Sequence, residues 1–281
     1  MPPRLDALTP LRFVAAMLIV LGLGAAVFGI VPGTGVLYAS NAGVSFFFVL
    51  SGFVLAYNYP VLAGRDAVRR FLVLRFARIW PMHALTLVAV AALLPRDAWV
   101  AQGVDPRLAA LLSLALLQAW VPVAGYVGAY NGPSWTLSVD LFLYATFPFL
   151  LVRAREAPLR TLAGALLLSA AAPILANAIG GPRSDLPLNQ VNWYTLDHTF
   201  PLSRLAEFVL GIAAALLPNP FGADQMHQRG LQIAVRKGVW RDHLGMGELF
   251  AKRQQMTLGP IVIIVKQLNI LRVHVNILVD S

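Results

Sequence analysis

Four ionisable side chains lie inside apolar segments of this 281-residue chain, and they are the first candidates for chemistry. They are Arg12, Asp140, Arg204 and Glu207. A charge inside hydrocarbon costs free energy, so such residues are rare unless they pair with one another or serve a site. One interpretation is structural: the arginines reach the membrane interface and the carboxylates neutralise neighbouring arginines. The other is a polar cluster that holds a substrate or orients a general base.

A second candidate site is a run of arginines between two apolar segments. Its members are Arg65, Arg69, Arg70, Arg75 and Arg78, with Asp66 the only acid among them. Arg75 and Arg78 are three residues apart and share one face of a helix. Because the planar guanidinium group binds phosphate through paired N–H groups, we predict that Arg70, Arg75 and Arg78 contact a phosphate. For the arginines from 65 to 70, a plain signal of membrane orientation is the alternative interpretation.

The composition decides which class of protein must position these groups. The chain is 58% hydrophobic and only 12% charged, whereas soluble domains carry about 25% charged residues. A net charge of +9 could indicate a nucleic-acid partner. The arginines lie between apolar segments and form no separate basic domain, so we predict no nucleic acid. The chain has no cysteine, which excludes disulfides and thiolate sites. No spacing of metal ligands is present, and we predict no metal.

Apolar segments of near-membrane length recur along the chain. They predict an all-α, polytopic integral membrane helix bundle with about 6–7 apolar segments. The candidates cover residues 8–30, 40–59, 72–94, 108–122, 135–152, 159–179 and 200–217. The segment 108–122 is short and is flanked by Asp105, Arg107 and Pro122. It is therefore expected to be re-entrant or only partly buried.

The loop charges predict the orientation of the chain. Basic loops stay in the cytoplasm, which places the N-terminus and residues 60–71 inside and the uncharged loop 31–39 outside. Residues 153–160 contain three arginines and one glutamate, so they should also be inside. If 108–122 crossed fully, 153–160 would lie outside. We therefore favour a segment 108–122 that does not fully cross.

The chain changes character near Pro218. Residues 1–218 form the predicted transmembrane domain, and residues 219–281 form a tail with less apolar sequence. The tail is predicted to hold a polar helix over 224–255 and strands at 260–265 and 271–279. Since sheet edges exposed to lipid are not tolerated, this tail should lie outside the membrane. It is either a small cytoplasmic appendage or a foreign or frame-shifted end.

Four stretches in order resemble the acyltransferase family 3 of membrane O-acyltransferases, and together they span about residues 8 to 217. They read LTPLRFVAAMLIVL, VSFFFVLSGFVL with RRFLVLRFARIWP, PSWTLSVDLFLYATFP, and PLSRLAEFVLGI. The resemblance implies an enzyme of a bacterial inner membrane, in contact with membrane lipid. It implies transfer of an acyl group, usually acetyl, from a cytoplasmic acyl-CoA. The acceptor would be a hydroxyl of an extracytoplasmic glycan or lipid-linked sugar.

The same resemblance assigns roles to particular residues. Arg12, Asp140 and Glu207 would belong to the catalytic site. Arg75 and Arg78, the counterparts of the family's arginine pair, would bind the CoA phosphates with Arg70 beside them. The family carries a histidine, taken as the base, eleven residues after the first-span arginine.

Two departures from the family pattern bear on activity. Leu23 stands at the position of the family's histidine. Leucine cannot accept a proton, whereas a general base contributes a factor of roughly 10²–10⁴ to the rate. The family has about ten spans, so with seven candidates some helices would lack packing partners. Two further readings stay open: a permease or flippase-like protein without covalent chemistry, and an inactive gene fragment.

Overall fold

The computed structural model describes residues 8–27, 34–95, 98–178, 188–191 and 193–216. Within these residues the chain forms nine α-helices and no strand, joined by short 3-10 turns and loops. The helices are α1 (Leu8–Val27), α2 (Thr34–Asn58), α3 (Arg65–Leu93), α4 (Pro106–Leu114), α5 (Ala124–Val127), α6 (Trp135–Glu156), α7 (Pro158–Ala178), α8 (Trp193–His198) and α9 (Leu205–Leu216). The predicted helical class is confirmed there. The predicted polar helix and strands of the tail lie outside the described residues.

Four of the described segments are long and apolar enough to cross a membrane. They are Asn41–Asn58, Arg65–Leu93, Gly132–Glu156 and Pro158–Leu175. The described part of the chain therefore contains fewer membrane-length helices than the six or seven predicted segments. The segment 108–122 is too short to span because its helix, α4, has nine residues. In the segment 200–217 the α-helix is α9, whose 12 residues are also too few. In α1, the apolar stretch Arg12–Gly22 is below spanning length.

The chain divides into two compact units. The first comprises Met1–Phe47 with Ala214–Ser281, and the second comprises Phe48–Ala213. In the first unit, α1 and α2 approach closely at Gly43, where an added Cβ would lie 3.0 Å from the Ala15 carbonyl oxygen and 3.1 Å from the Ile19 side chain. A glycine at this position permits that approach, because larger side chains would hold the backbones apart.

In the second unit, α2 and α9 cross at a pair of glycines. A Cβ added at Gly52 would overlap the carbonyl oxygen of Phe208, and one added at Gly211 would overlap that of Val49. Each helix thus presents a glycine to the backbone of the other, which is how small residues allow membrane helices to pack closely.

Helices α3 and α6 pack side by side and run antiparallel. The rings of Phe71 and Phe147 lie 5.4 Å apart, and the Arg75 guanidinium lies 5.7 Å from the Tyr144 ring. A step of four residues forward along α3 therefore moves the contact three residues backward along α6. The C-terminal end of α3 and the N-terminal end of α6 consequently lie at one end of the unit.

The described part of the connection between these helices, residues 98–134, enters the unit and returns. Asp105 caps α4 by accepting a hydrogen bond from the Arg107 N–H at 2.9 Å, and α4 ends beside α3, where the His83 Nε2 donates to the Ser113 carbonyl oxygen at 2.7 Å. His83 precedes the end of α3 by ten residues, or about 15 Å of helix. The chain then reverses at Leu116, which has a left-handed φ of 56°. The segment 108–122 is thus not one helix of membrane-spanning length, and its re-entrant or partly buried position stays a prediction.

The outer part of this segment has its own small core. The side chains of Val104, Ala109 and Ala129 are buried together, and the rings of Trp99 and Tyr130 stack 5.8 Å apart. The Tyr130 hydroxyl donates to the Pro106 carbonyl oxygen at 2.9 Å. Burial, and secondly the Asp105 carboxylate, raise the pKa of Tyr130, so this donor stays protonated at neutral pH.

Candidate functional site

A charged cluster lies where α3 and α6 face each other. The Arg75 guanidinium is surrounded by the rings of Tyr59, Phe71 and Tyr144, with its Cζ 5.3, 5.4 and 5.7 Å from their centroids. Aromatic faces attract a guanidinium group, more strongly where water is excluded. Arg75 is therefore held by its surroundings.

Asp140 supplies the negative charge of this cluster. Its carboxylate interacts electrostatically with Arg75 and Arg78, and it lies four residues, or about one helical turn, before Tyr144 on α6. Tyr144 in turn shares a hydrogen bond with Ser51 of α2. Arg78 is exposed, whereas Arg75 and Asp140 are half-buried. The cluster can thus present one accessible guanidinium beside a half-buried carboxylate.

A second charged cluster lies at the start of α9. Arg204 and Glu207 form an ion pair of 3.0 Å between Nη1 and Oε1, with side chains only 1% and 9% exposed. The Arg204 Nε donates to the His198 carbonyl oxygen at 2.6 Å, and its Nη2 lies 2.7 Å from the His198 Nδ1. Because arginine can only donate, that nitrogen of His198 is the acceptor.

Aromatic rings complete the second cluster. The Arg204 Cζ lies 5.9 Å from the centroid of the Phe48 ring and 5.7 Å from that of Trp135. The Trp135 ring lies 5.3 Å from the His198 ring. Trp135 is the first residue of α6, five residues before Asp140. The two charged clusters therefore touch the same helix.

Comparison with known proteins bears on what these clusters can do. The sequence model of a family described as an acyltransferase domain matches residues 5–223, most of the chain. The chain belongs to acyltransferase family 3. The predicted resemblance is confirmed, and together with four membrane-length helices this places the chain among integral membrane proteins.

Two curated proteins are similar to this member of acyltransferase family 3. It is 32% identical to acyltransferase MdmB of Streptomyces mycarofaciens, in an alignment covering 86% of this chain and 61% of that protein. It is 39% identical to protein 2 in the picA locus of Rhizobium radiobacter, over 32% of this chain and 46% of that protein. The alignments thus cover 61% and 46% of the length of these two relatives. No solved structure matches.

The structure brings together some of the residues predicted for the family 3 site. Arg75, Arg78 and Asp140 form one cluster, as described above, while Glu207 lies in the other with Arg204. Arg70 is exposed in the second turn of α3. Arg12 is exposed on α1, which belongs to the other compact unit, as does Leu23.

Sequence reasoning missed the partners of these charged residues. His198, which the sequence places in a loop, ends α8 and contacts Arg204 through two atoms. Tyr59 and Tyr144 enclose Arg75. The available signal was the number of aromatic residues close to the arginines in sequence, but which rings meet which guanidinium depends on helix packing.

Outside the two charged clusters, the histidine His83 of α3 is also buried, with 2% of its surface exposed. A carbonyl oxygen only accepts hydrogen bonds, so the contact with Ser113 requires the hydrogen on Nε2. In the neutral ring, Nδ1 then carries the lone pair, and it has no hydrogen-bond partner in the part of the chain that the structure describes. His83 is therefore an oriented imidazole with an acceptor nitrogen.

Proposed function

We propose that this protein transfers an acetyl or other acyl group from acyl-CoA to a hydroxyl of an extracytoplasmic glycan or lipid-linked sugar. The observation that carries the proposal is the α3–α6 cluster, in which Asp140 lies beside Arg75 and Arg78 in a member of acyltransferase family 3. The similarity to an acyltransferase of Streptomyces mycarofaciens supports it.

In this proposal the two arginines have different tasks. Arg78 is exposed and contacts a phosphate of the donor, which a guanidinium binds through paired N–H groups. Arg75, held by three aromatic rings, supplies a positive charge that interacts with the carboxylate of Asp140. The N-terminus and the arginines of α3 face the cytoplasm of a bacterium, as basic segments do.

The transfer itself needs a proton acceptor. The acceptor hydroxyl oxygen attacks the thioester carbonyl carbon, the C–S bond breaks, and CoA leaves as the thiol. The hydroxyl proton must go to a base, and Leu23 cannot take it. We assign this role to Asp140. The oriented imidazole of His83 is the group to replace next if Asp140→Asn keeps its activity.

The test uses membranes that contain the chain and acetyl-CoA labelled in the acetyl group. Label should enter envelope material as an ester that mild alkali releases. Arg78→Ala should raise the KM for acetyl-CoA with a smaller effect on kcat, because it removes a binding contact. An unchanged KM would remove Arg78 from the donor site.

The same assay with Leu23→His separates an impaired enzyme from an inactive chain. Label transferred by the unaltered chain means that a base other than the family's histidine serves. Label seen only with Leu23→His means that the scaffold binds both substrates but lacks the base. No label from either, with both proteins present in the membrane, would refute the proposed transfer.

One observation favours a second candidate, a permease or flippase. The connection 98–134 puts irregular backbone, with the reversal at Leu116, beside the first turn of α6, where Ser138 donates to the Leu116 carbonyl oxygen. Transporters use such interrupted elements to bind solutes within the membrane. Movement of a polar solute into sealed vesicles, without covalent label in any product, would favour this function over acyl transfer.

A further inference from the structure

Three buried polar atoms near the reversal at Leu116 have no hydrogen-bond partner among the residues that the structure describes. They are the Nδ1 of His83, the Oγ of Ser113 and the Oε1 of Gln118. These three residues are only 2%, 1% and 0% exposed. An unpaired polar group in an apolar interior costs free energy, so most such groups in native proteins are paired with protein atoms or with ordered water. None of the three belongs to the two charged clusters.

Hydrogen bonds tie the three side chains to the same turn of the backbone. The Ser113 carbonyl oxygen accepts from the His83 Nε2 at 2.7 Å and from the Leu116 N–H at 3.0 Å. The imidazole and the reversed backbone therefore meet at one residue. Gln118 follows the reversal by two residues, and its Nε2 donates to the carbonyl oxygen of Ser134 at 3.1 Å. Its Oε1 is thus the unpaired end of an amide that is otherwise fixed.

The three atoms lie close to the level of Asp140. His83 follows Arg75 by eight residues, or about 12 Å of helix, and Asp140 precedes Tyr144 by four, or about 6 Å. Because Arg75 contacts Tyr144 and α3 and α6 are antiparallel, both steps lead in the same direction. His83 is therefore about 6 Å beyond Asp140 along the helix axes. It lies inside a membrane-length helix, where lipid offers no hydrogen bonds to polar groups.

The chemistry of the three atoms specifies what can pair with them. With its hydrogen on Nε2, the neutral ring of His83 has an acceptor at Nδ1, and the Gln118 Oε1 is a second acceptor. The Ser113 hydroxyl can both donate and accept. A matching ligand must therefore donate hydrogen bonds and be small enough for a closely packed interior. Water has two O–H groups and two lone pairs, and a buried water typically makes about three hydrogen bonds to such groups.

We propose that ordered water binds at the reversal, paired with His83, Ser113 and Gln118. This hydration site goes beyond the proposed function and does not depend on acyl transfer. It explains how α3, α4 and the turn after α4 bury an imidazole, a hydroxyl and an amide at this depth, because water supplies the missing partners. It also gives the Asp140 cluster a hydrated neighbour about one helical turn away.

A hydroxyl deletion distinguishes a hydrated site from a dry one. Ser113→Ala removes only the Oγ. At a hydrated site the change removes a hydrogen bond to bound water, so Tm in detergent should fall by about 2–4 °C. In a dry interior it removes an unpaired polar group, so Tm should stay the same or rise. The matched control is Ser138→Ala, whose equally buried hydroxyl donates to the Leu116 carbonyl oxygen at 2.6 Å and whose loss should lower Tm. A Tm that Ser113→Ala leaves unchanged or raises would overturn the inference.

Contact with water can also be measured directly. The protein is labelled with ¹⁵N-histidine in membranes, and solid-state NMR follows the transfer of magnetisation from water to the imidazole nitrogens. The signals of His83 are identified by their loss in His83→Gln. Water should transfer magnetisation to the His83 ring although the residue is 2% exposed. If the ring receives none, the site is dry or holds another group, and the inference is wrong even where Ser113→Ala lowers Tm.

Discussion

The buried ion pair of Arg204 and Glu207 leads to the sharpest prediction for a single residue. Replacing Glu207 by glutamine keeps the size of the side chain but removes the charge opposite Arg204, whose side chain is 1% exposed. Breaking a buried pair by neutralising one partner costs about 3–5 kcal/mol. For a unit of this size, that corresponds to a fall of roughly 6–20 °C in Tm.

The assay is thermal stability in detergent, followed as the loss of the monodisperse size-exclusion peak after heating. Glu156→Gln is the matched control, because that glutamate pairs with Arg153 at 3.6 Å on the surface and its loss should change Tm little. Glu207→Gln should lower Tm strongly while the remaining folded protein keeps its acyl-transfer activity.

A double replacement tests the physical reason. Arg204→Met alone leaves a buried carboxylate without its arginine, whereas Arg204→Met with Glu207→Leu removes both charges. The double variant should be more stable than either single variant, because well-packed apolar side chains can replace a buried pair. The reasoning is refuted if Glu207→Gln keeps the Tm of the unaltered chain but loses transfer, since Glu207 would then act in the chemistry.

Three further predictions concern other parts of the molecule. Gly52→Ala should lower the free energy of unfolding by about 1–3 kcal/mol, because the added methyl group overlaps the Phe208 carbonyl oxygen. The control is Gly164→Ala, whose added methyl group meets no atom within 4 Å and should leave Tm unchanged. Equal Tm values for the two variants would contradict the α2–α9 crossing. With Asp140 as the base, Leu23→His should leave the transfer rate of the unaltered chain unchanged, measured with labelled acetyl-CoA. A rise of roughly 10²–10⁴, the usual contribution of a general base, would refute the role of Asp140. Asp140→Asn should abolish transfer and Asp140→Glu should retain part of it; equal rates for the two variants would exclude a carboxylate role.

The long helices could be predicted from the sequence because their apolar runs are uninterrupted. Segments 72–94 and 135–152 correspond to α3 and α6, and the ends differ by a few residues where arginines continue the helix beyond the apolar run. The segment 108–122 has a comparable apolar content, yet it forms a nine-residue helix and a reversal at Leu116. Its path depends on contacts with His83 and Ser138, which no local pattern encodes.

The candidate site divides in the same way. The sequence identified Arg12, Asp140, Arg204 and Glu207 as costly charges, because an ionisable group in an apolar segment is recognisable wherever it packs. It singled out Arg75 and Arg78 separately, as candidate phosphate contacts. It left open which charges neutralise each other. The structure pairs Glu207 with Arg204 and places Asp140 with the two arginines of α3, and only the register of the packed helices could decide this.

By itself, the sequence determined that this chain is a membrane protein of helical segments with arginines concentrated beside two of them. Composition and apolar run length are properties of the chain, and the family motifs are local, so each could be read without coordinates. The tertiary structure alone decided that Arg65 and Arg153 share one end, that Gly52 meets Phe208, and that the chain reverses at Leu116 beside Ser138. These are facts of helix packing, which depends on contacts between residues remote in the chain.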